Sequence, residues 1–242
     1  MLQTLFKPKE DKEDATIKNT EPPPQLVLAC QQIVDCLVES VLRMEESNFD
    51  MTYGKQSGAS DQAQNNRTLG SNNRIVACLT TLYLFAKIRP QLLVEHVQTL
   101  QPYLAVTCKT QGDYQIISDV ARTLELVVPL IKHPSEIFLA QLEEDAVKLI
   151  LQHDRKVVSA CVSCLGSVVN EVTKNYKLVR DCFSKYYGHM VQYRNVYEND
   201  KQDPRLVHAT PKFRRALFTV GLLLKHFDFS KKDLYEGLPV SF

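Results

Sequence analysis

Apolar helical segments start near Asn73, Asp113, Asp154 and Pro211, at intervals of about 40, 41 and 57 residues, and this recurrence constrains the fold more than any other feature. A period near 40 with two helices per unit is the signature of HEAT and armadillo arrays. One helical hairpin cannot bury its own apolar face, so neighbouring hairpins must stack against it. The clearest unit runs from Pro134 to Val172. It has a Pro-opened helix, Asp154 at the turn, and then Val157, Ala160, Leu165 and Gly166 along a second helix, where small residues admit close packing. The longer third interval takes up a polar loop at 196–210, ahead of a last helix opened by Pro211 with Thr210 as its N-cap.

The remaining segments read the same way. Residues 25–46 place Leu26, Ile33, Leu37 and Val41 at helical spacing. The run RIVACLTTLYLFAKIR is helical up to Pro90, and PQLLVEHVQTLQPYLAV forms the next helix. YQIISDVARTLELVVPLIKH makes a long helix with a kink expected at Pro129. A further helix spans roughly 174–195. No stretch sustains two-residue alternation, so the fold class is all-α, an α-solenoid of about four HEAT-like helical hairpins. Residues 1–23, polar and ending in prolines, read as a disordered lead-in to a solenoid segment at 24–229. The Gly-, Ser-, Asn- and Gln-rich stretch 47–72 reads as a disordered insert, and 230–242 as an irregular tail. No 18-residue uncharged run occurs, so no transmembrane helix and no membrane partner are expected.

Composition removes most enzyme classes. Glycine is 8 of 242 residues, too few for the Gly-rich loops that cradle phosphates, and no GxxxxGK[ST], GxSxG or HExxH string is present. The seven cysteines are an odd number scattered through apolar segments, as reduced thiols of an intracellular protein would be. Cys161 and Cys164 share a helix face with Val157, Ala160 and Leu165; without a second ligand pair they read as buried small hydrophobes. His226 has Asp228 two residues on, but no nucleophile or oxyanion motif accompanies them. Glu143, Glu144 and Asp145 are consecutive, point around their helix, and read as a solvated face. The sequence therefore offers no catalytic residue, no metal ligand set and no cofactor site.

The net charge of +1 conceals an asymmetry: residues 24–173 hold 12 basic and 16 acidic side chains, residues 174–242 hold 13 and 7. In the basic third, Lys174, Lys177 and Arg180 step by three along one helix and Lys185 follows, interleaved with Tyr176, Phe183, Tyr186 and Tyr187. Lys212, Arg214 and Arg215 belong to the last helix. These seven cations are the candidate contacts for DNA or an acidic partner, where they would neutralise phosphates without reading bases. The alternative is ordinary solubilising charge with tyrosines as packing.

Four strings resemble a known family: LQPYLAVTCKTQGDY (100–114), LELVVPLIKHPSEIFLAQLEEDAVKLI (124–150), VVSACVSCLGSVVNEVTKNY (157–176) and FRRALFTVGLLLKHFDF (213–229). They are similar to the carboxy-terminal HEAT region of the Nipped-B family of sister-chromatid cohesion proteins. The resemblance implies a nuclear, non-enzymatic α-solenoid that acts with a TPR-type partner subunit. It implies a role in loading cohesin ring subunits onto chromatin DNA and in stimulating their ATPase. Family members are several times longer than 242 residues, so it also implies a fragment, an isoform or an incomplete gene model. The competing expectation is another HEAT or armadillo scaffold that takes extended peptides in a groove; a helical enzyme comes third. The apolar helix 211–227 has no polar capping repeat after it, so the isolated chain is expected to self-associate.

Overall fold

The computed structural model describes residues 21–53, 61–106, 108–152, 155–236 and 238; side chains at 46–53 and 61–71 lie outside the description. Among the described residues every regular element is helical, and the contacts divide the chain into two units, Met1–Leu130 and Ile131–Phe242. Each unit is a small stack of helical hairpins of the kind that builds an all-α solenoid.

In the first unit, α1 (Pro24–Tyr53) buries Cys30, Val34, Val38 and Val41, spaced by four, four and three. The expected stripe of Leu26, Ile33, Leu37 and Val41 shares only its last member, and Ile33 is exposed. Apolar residues surround this helix, so hydropathy alone does not choose its inner face. By length and composition Pro24–Glu45 could cross a membrane, at a mean hydropathy of 1.4. The buried stripe is nevertheless packed on α2 (Asp61–Ile88), where Ile75, Leu79, Leu82 and Phe85 face inward. The expected insert at 47–72 has helical backbone on both flanks, and 54–60 lie outside the described residues. Extension from an anchored helix is cheap, because nucleation has already been met.

Pro90 ends α2. The expected helix over 90–106 is instead a 3-10 turn (Pro90–His96), one α turn (Val97–Leu100) and a second 3-10 turn (Gln101–Ala105). Pro90 and Pro102 each open a 3-10 piece, since a residue without an N–H fits only at the start of a helical run. α3 (Gln111–Val127) begins with a capping box: Thr110 Oγ1 accepts from Asp113 N at 3.4 Å, and Asp113 Oδ2 accepts from Thr110 N at 2.6 Å. Its buried Asp119 accepts from Thr80 of α2 at 2.6 Å and from Gln115 at 2.9 Å, tying the two helices across an otherwise apolar contact. At Pro129 the α-helix gives way to a 3-10 turn, Val128–Leu130, so the expected kink is a termination.

In the second unit, α4 (Glu136–Gln152) pairs with α5 (Arg155–Ser167); Asp154, the expected turn residue, lies outside the described residues. α5 buries Val157, Val158, Ala160, Cys161, Val162, Cys164 and Leu165. Burial pushes the Cys161 thiol up to about 12, as befits a packing group. A Cβ on Gly166 would lie 3.1 Å from His226 Cβ, so glycine lets α5 press on α7 (Arg205–His226). α6 (Tyr176–Asn199) and α7 form the second hairpin, joined across residues 200–204.

α7 begins six residues before the expected Pro211. Asp203 starts it, with Oδ1 accepting from Arg205 N at 2.8 Å, while Thr210 Oγ1 donates back to Leu206 O at 2.6 Å instead of capping. Pro211 removes the hydrogen bond to Val207 O, but Val207 is 73% exposed, so water can satisfy that carbonyl. Within the expected irregular tail, Lys232–Tyr235 form a helical turn, α8, whose Leu234 is buried beside α6.

Candidate nucleic-acid interface

The most organised polar feature of the second unit lies where α5 turns into α6. Beyond Ser167 the helix widens into π geometry over Val168–Thr173 and ends when Lys174 N donates to Val169 O at 2.9 Å. Lys174 itself is left-handed, at φ 55°, a conformation that costs a residue with a Cβ on the order of 1 kcal/mol. The turn is held by a carboxylate below it. Glu143 of α4 is only 5% exposed; its Oε1 accepts from Thr173 Oγ1 and its Oε2 from Asn175 Nδ2 at 2.7 Å. Glu143 therefore departs from the solvated face expected of the run 143–145: Glu144 is exposed, but helical rotation carries Glu143 inward to the two donors.

This clamped turn opens one side of a cleft of about 590 Å³ lined by Lys174, Asn175, Tyr176, Lys177, Arg180, Lys231, Asp233 and Leu234. Lys177 and Lys231 are exposed at its mouth. Arg180 is half-buried, and its guanidinium donates to Asp233 O, joining α6 to α8. Lys174 Nζ donates to Asn170 O at the end of the π segment, where a cation complements the carbonyl dipoles. The start of α6 adds the partial positive charge of a helix N-terminus. The cleft thus gathers four cations against one carboxylate, Asp233, a charge excess of the sign that holds a polyanion.

The structure brings together three of the seven candidate cations, Lys174, Lys177 and Arg180. Lys185, Lys212 and Arg214 are exposed but line other parts of α6 and α7. Arg215 turns inward: its Nη2 donates to Ile150 O at 3.1 Å, beside the Tyr186 hydroxyl, which donates to the same carbonyl at 2.6 Å. Together they cap the end of α4. Among the interleaved aromatics only Tyr176 lines the cleft; Phe183 packs on Phe229 at 4.6 Å and on Tyr187 at 6.0 Å. Asp228 accepts from Ser230 N at 3.1 Å and Oγ at 2.6 Å, which holds its carboxyl below the usual range. Sequence reasoning missed Lys231, set aside with the tail, and the positioning role of Glu143 and Asn175. A Lys-Lys pair beginning four residues beyond the expected helix 211–227 was the available signal for the first. Among the described residues no cluster of metal-ligating side chains is found.

No family model matches the chain. The Nipped-B-like proteins of mouse and human are each 46% identical to it over 241 residues, covering 100% of this chain and 8% of their own length. The fruit-fly Nipped-B protein is 38% identical over 253 residues, again across the whole chain and 11% of its own length. The chain thus spans about a tenth of the length of these relatives. Over its whole length, the chain is homologous to one segment of the Nipped-B proteins.

Proposed function

We propose that this chain is a non-enzymatic scaffold segment of a cohesin-loading factor, and that its basic cleft holds the sugar-phosphate backbone of chromatin DNA. The observation that carries the reading is the convergence of Lys174, Lys177, Arg180 and Lys231 on one cleft. A left-handed lysine is kept there where glycine would be relaxed. Strain retained at one residue supports a role for its side chain. Similarity to a segment of Nipped-B proteins supports the reading. The role proposed with it is that of part of a nuclear solenoid that, with a TPR-type subunit, positions cohesin ring subunits on DNA and couples them to ATP hydrolysis. The chain's part is positional, through charge, and calls for no cofactor.

The test is duplex-DNA affinity as a function of salt. Four neutralised phosphates give a log–log slope of about −3.6, a loss of roughly 100-fold between 50 and 200 mM salt. Reversing Lys174, Lys177 and Arg180 to Glu lowers low-salt affinity and flattens that slope by about 3. Unchanged low-salt affinity in the triple variant overturns the assignment. Co-precipitation of cohesin subunits with the chain, with and without DNA, tests the wider role. Binding of peptides with no salt-dependent DNA shift would favour a peptide-binding adaptor instead.

A further inference from the structure

At the far end of the α6–α7 hairpin from the cleft lies a second concavity, of about 330 Å³, lined by Tyr187, Met190, Val191, Tyr193, Arg194, Tyr197 and Phe213. Its floor is apolar, and its rings are ordered. Tyr193 stacks on Phe213 at 4.3 Å and 19°, and lies nearly parallel to Tyr197 at 6.3 Å and 11°. Tyr197 is 43% exposed and carries Lys201 over its ring at 5.8 Å. The ring faces are thus largely occupied by one another and by a lysine, and the groove presents ring edges with the flexible Met190 and the branched Val191. Such a surface receives aliphatic side chains. It offers little to a nucleic-acid base, which needs a free aromatic face, or to a methylated ammonium, which Arg194 and Lys201 would repel.

The rim carries one sign of charge in excess. Arg194 lines the groove and Lys201 overhangs it. Lys212 and Arg214, both exposed, flank Phe213 at about 100° to either side. Among the described residues neither makes an ion pair; Arg194 is offset by Glu198 at 3.8 Å, Asp203 pairs with Arg205 at 2.6 Å, and Asp200 accepts from Gln202 N at 2.8 Å, so the excess rests on Lys201, Lys212 and Arg214. An apolar floor within a cationic rim is complementary to an aliphatic anchor flanked by carboxylates.

We propose that this groove docks an acidic peptide segment through one or two aliphatic side chains, independently of the basic cleft. The volume suits that occupant, since it lies at the small end of ligand sites and holds side chains rather than a folded domain.

The test uses the whole chain and a set of twelve-residue peptides with a central Leu-Leu and flanks of Asp/Glu, Ser or Lys. Binding is followed by anisotropy and by the 13C-methyl resonance of Met190. The acidic Leu-Leu peptides should bind and shift Met190, and the Lys-flanked and Ala-Ala peptides should not. Tyr197→Ala should weaken binding by about tenfold, as removal of an interface tyrosine does. Arg194→Glu should erase the preference for acidic flanks while leaving the fold's circular dichroism unchanged. Equal binding of all flanks, no Met190 shift with any peptide, or a Met190 shift with oligo-dT in place of peptide would each overturn the proposal.

Discussion

Glu143 is the residue whose loss is most informative. It is buried and joins α4 to the turn that carries Lys174 through hydrogen bonds from Thr173 and Asn175. A hydrogen bond to a charged group contributes about 1.5–3 kcal/mol net, so two of them are worth about 3–6 kcal/mol. The carboxylate's own desolvation offsets part of that, and Glu143→Ala is expected to cost about 3 kcal/mol. For a chain of this size that is a fall in Tm of roughly 6–12 °C. Glu143→Gln separates hydrogen bonding from charge. Its carbonyl oxygen can accept from Asn175 while its amide donates to the Thr173 hydroxyl, which can turn to accept, so its cost should stay under about 1 kcal/mol. Urea titration followed by circular dichroism gives both values as midpoint shifts at constant m. The alanine variant should also bind DNA more weakly, because Lys174 loses its support. A Glu143→Ala midpoint within experimental error of wild type, or a glutamine variant as unstable as the alanine, refutes the clamp.

Two further outcomes follow from side-chain geometry elsewhere. Hydrogen bonds from Gln31 at 2.9 Å and His96 at 2.8 Å lower the pKa of Asp35, so its ionised form favours the folded first unit. That contribution is full above the unfolded value near 3.9 and fades as pH falls through the lower folded one; Asp35→Asn should flatten acid unfolding below about pH 4, and an unaltered acid limb would count against the pair. Gly166→Val places branched atoms where a Cβ alone would already sit 3.1 Å from His226 Cβ, and overpacking of this kind costs about 1–3 kcal/mol. A valine variant as stable as wild type, by urea midpoint, would show that α5 and α7 separate freely.

How much of this was legible in the sequence depends on the kind of signal. The unit 134–172 was, because its apolar period, its opening proline and Gly166 agree about one arrangement. The α1 stripe was not: Leu28 and Ile33, apolar but exposed, sit beside buried Cys30 and Val34, so periodicity has no contrast to work on. Proline misled at α7, where the helix tolerates an interior Pro211 because the orphaned carbonyl faces water. Charge misled at both sites in the same way. Consecutive acids at 143–145 look alike in sequence, yet one turns inward; Arg214 and Arg215 are neighbours, yet one is exposed and the other caps α4. Which member of such a run is inside depends on a hydrogen-bond partner tens of residues away, and local pattern carries no trace of it.

The basic carboxy-terminal third can be divided further by distance. Lys177 and Arg194 are 17 positions apart on α6, about 25 Å along a helix rising 1.5 Å per residue. At physiological salt the Debye length is about 8 Å, so charges at the two ends of α6 hardly sense one another. Reversal of Lys174, Lys177 and Arg180 should therefore leave peptide binding at the aromatic groove unchanged, and Arg194→Glu should leave the salt slope of DNA binding unchanged. Arg215, held on Ile150 O, belongs to neither surface. If reversal at one end altered binding at the other by more than about twofold, electrostatics could not be the carrier at that range. The coupling would then have to run through α6 itself, as a shift of the helix against α7.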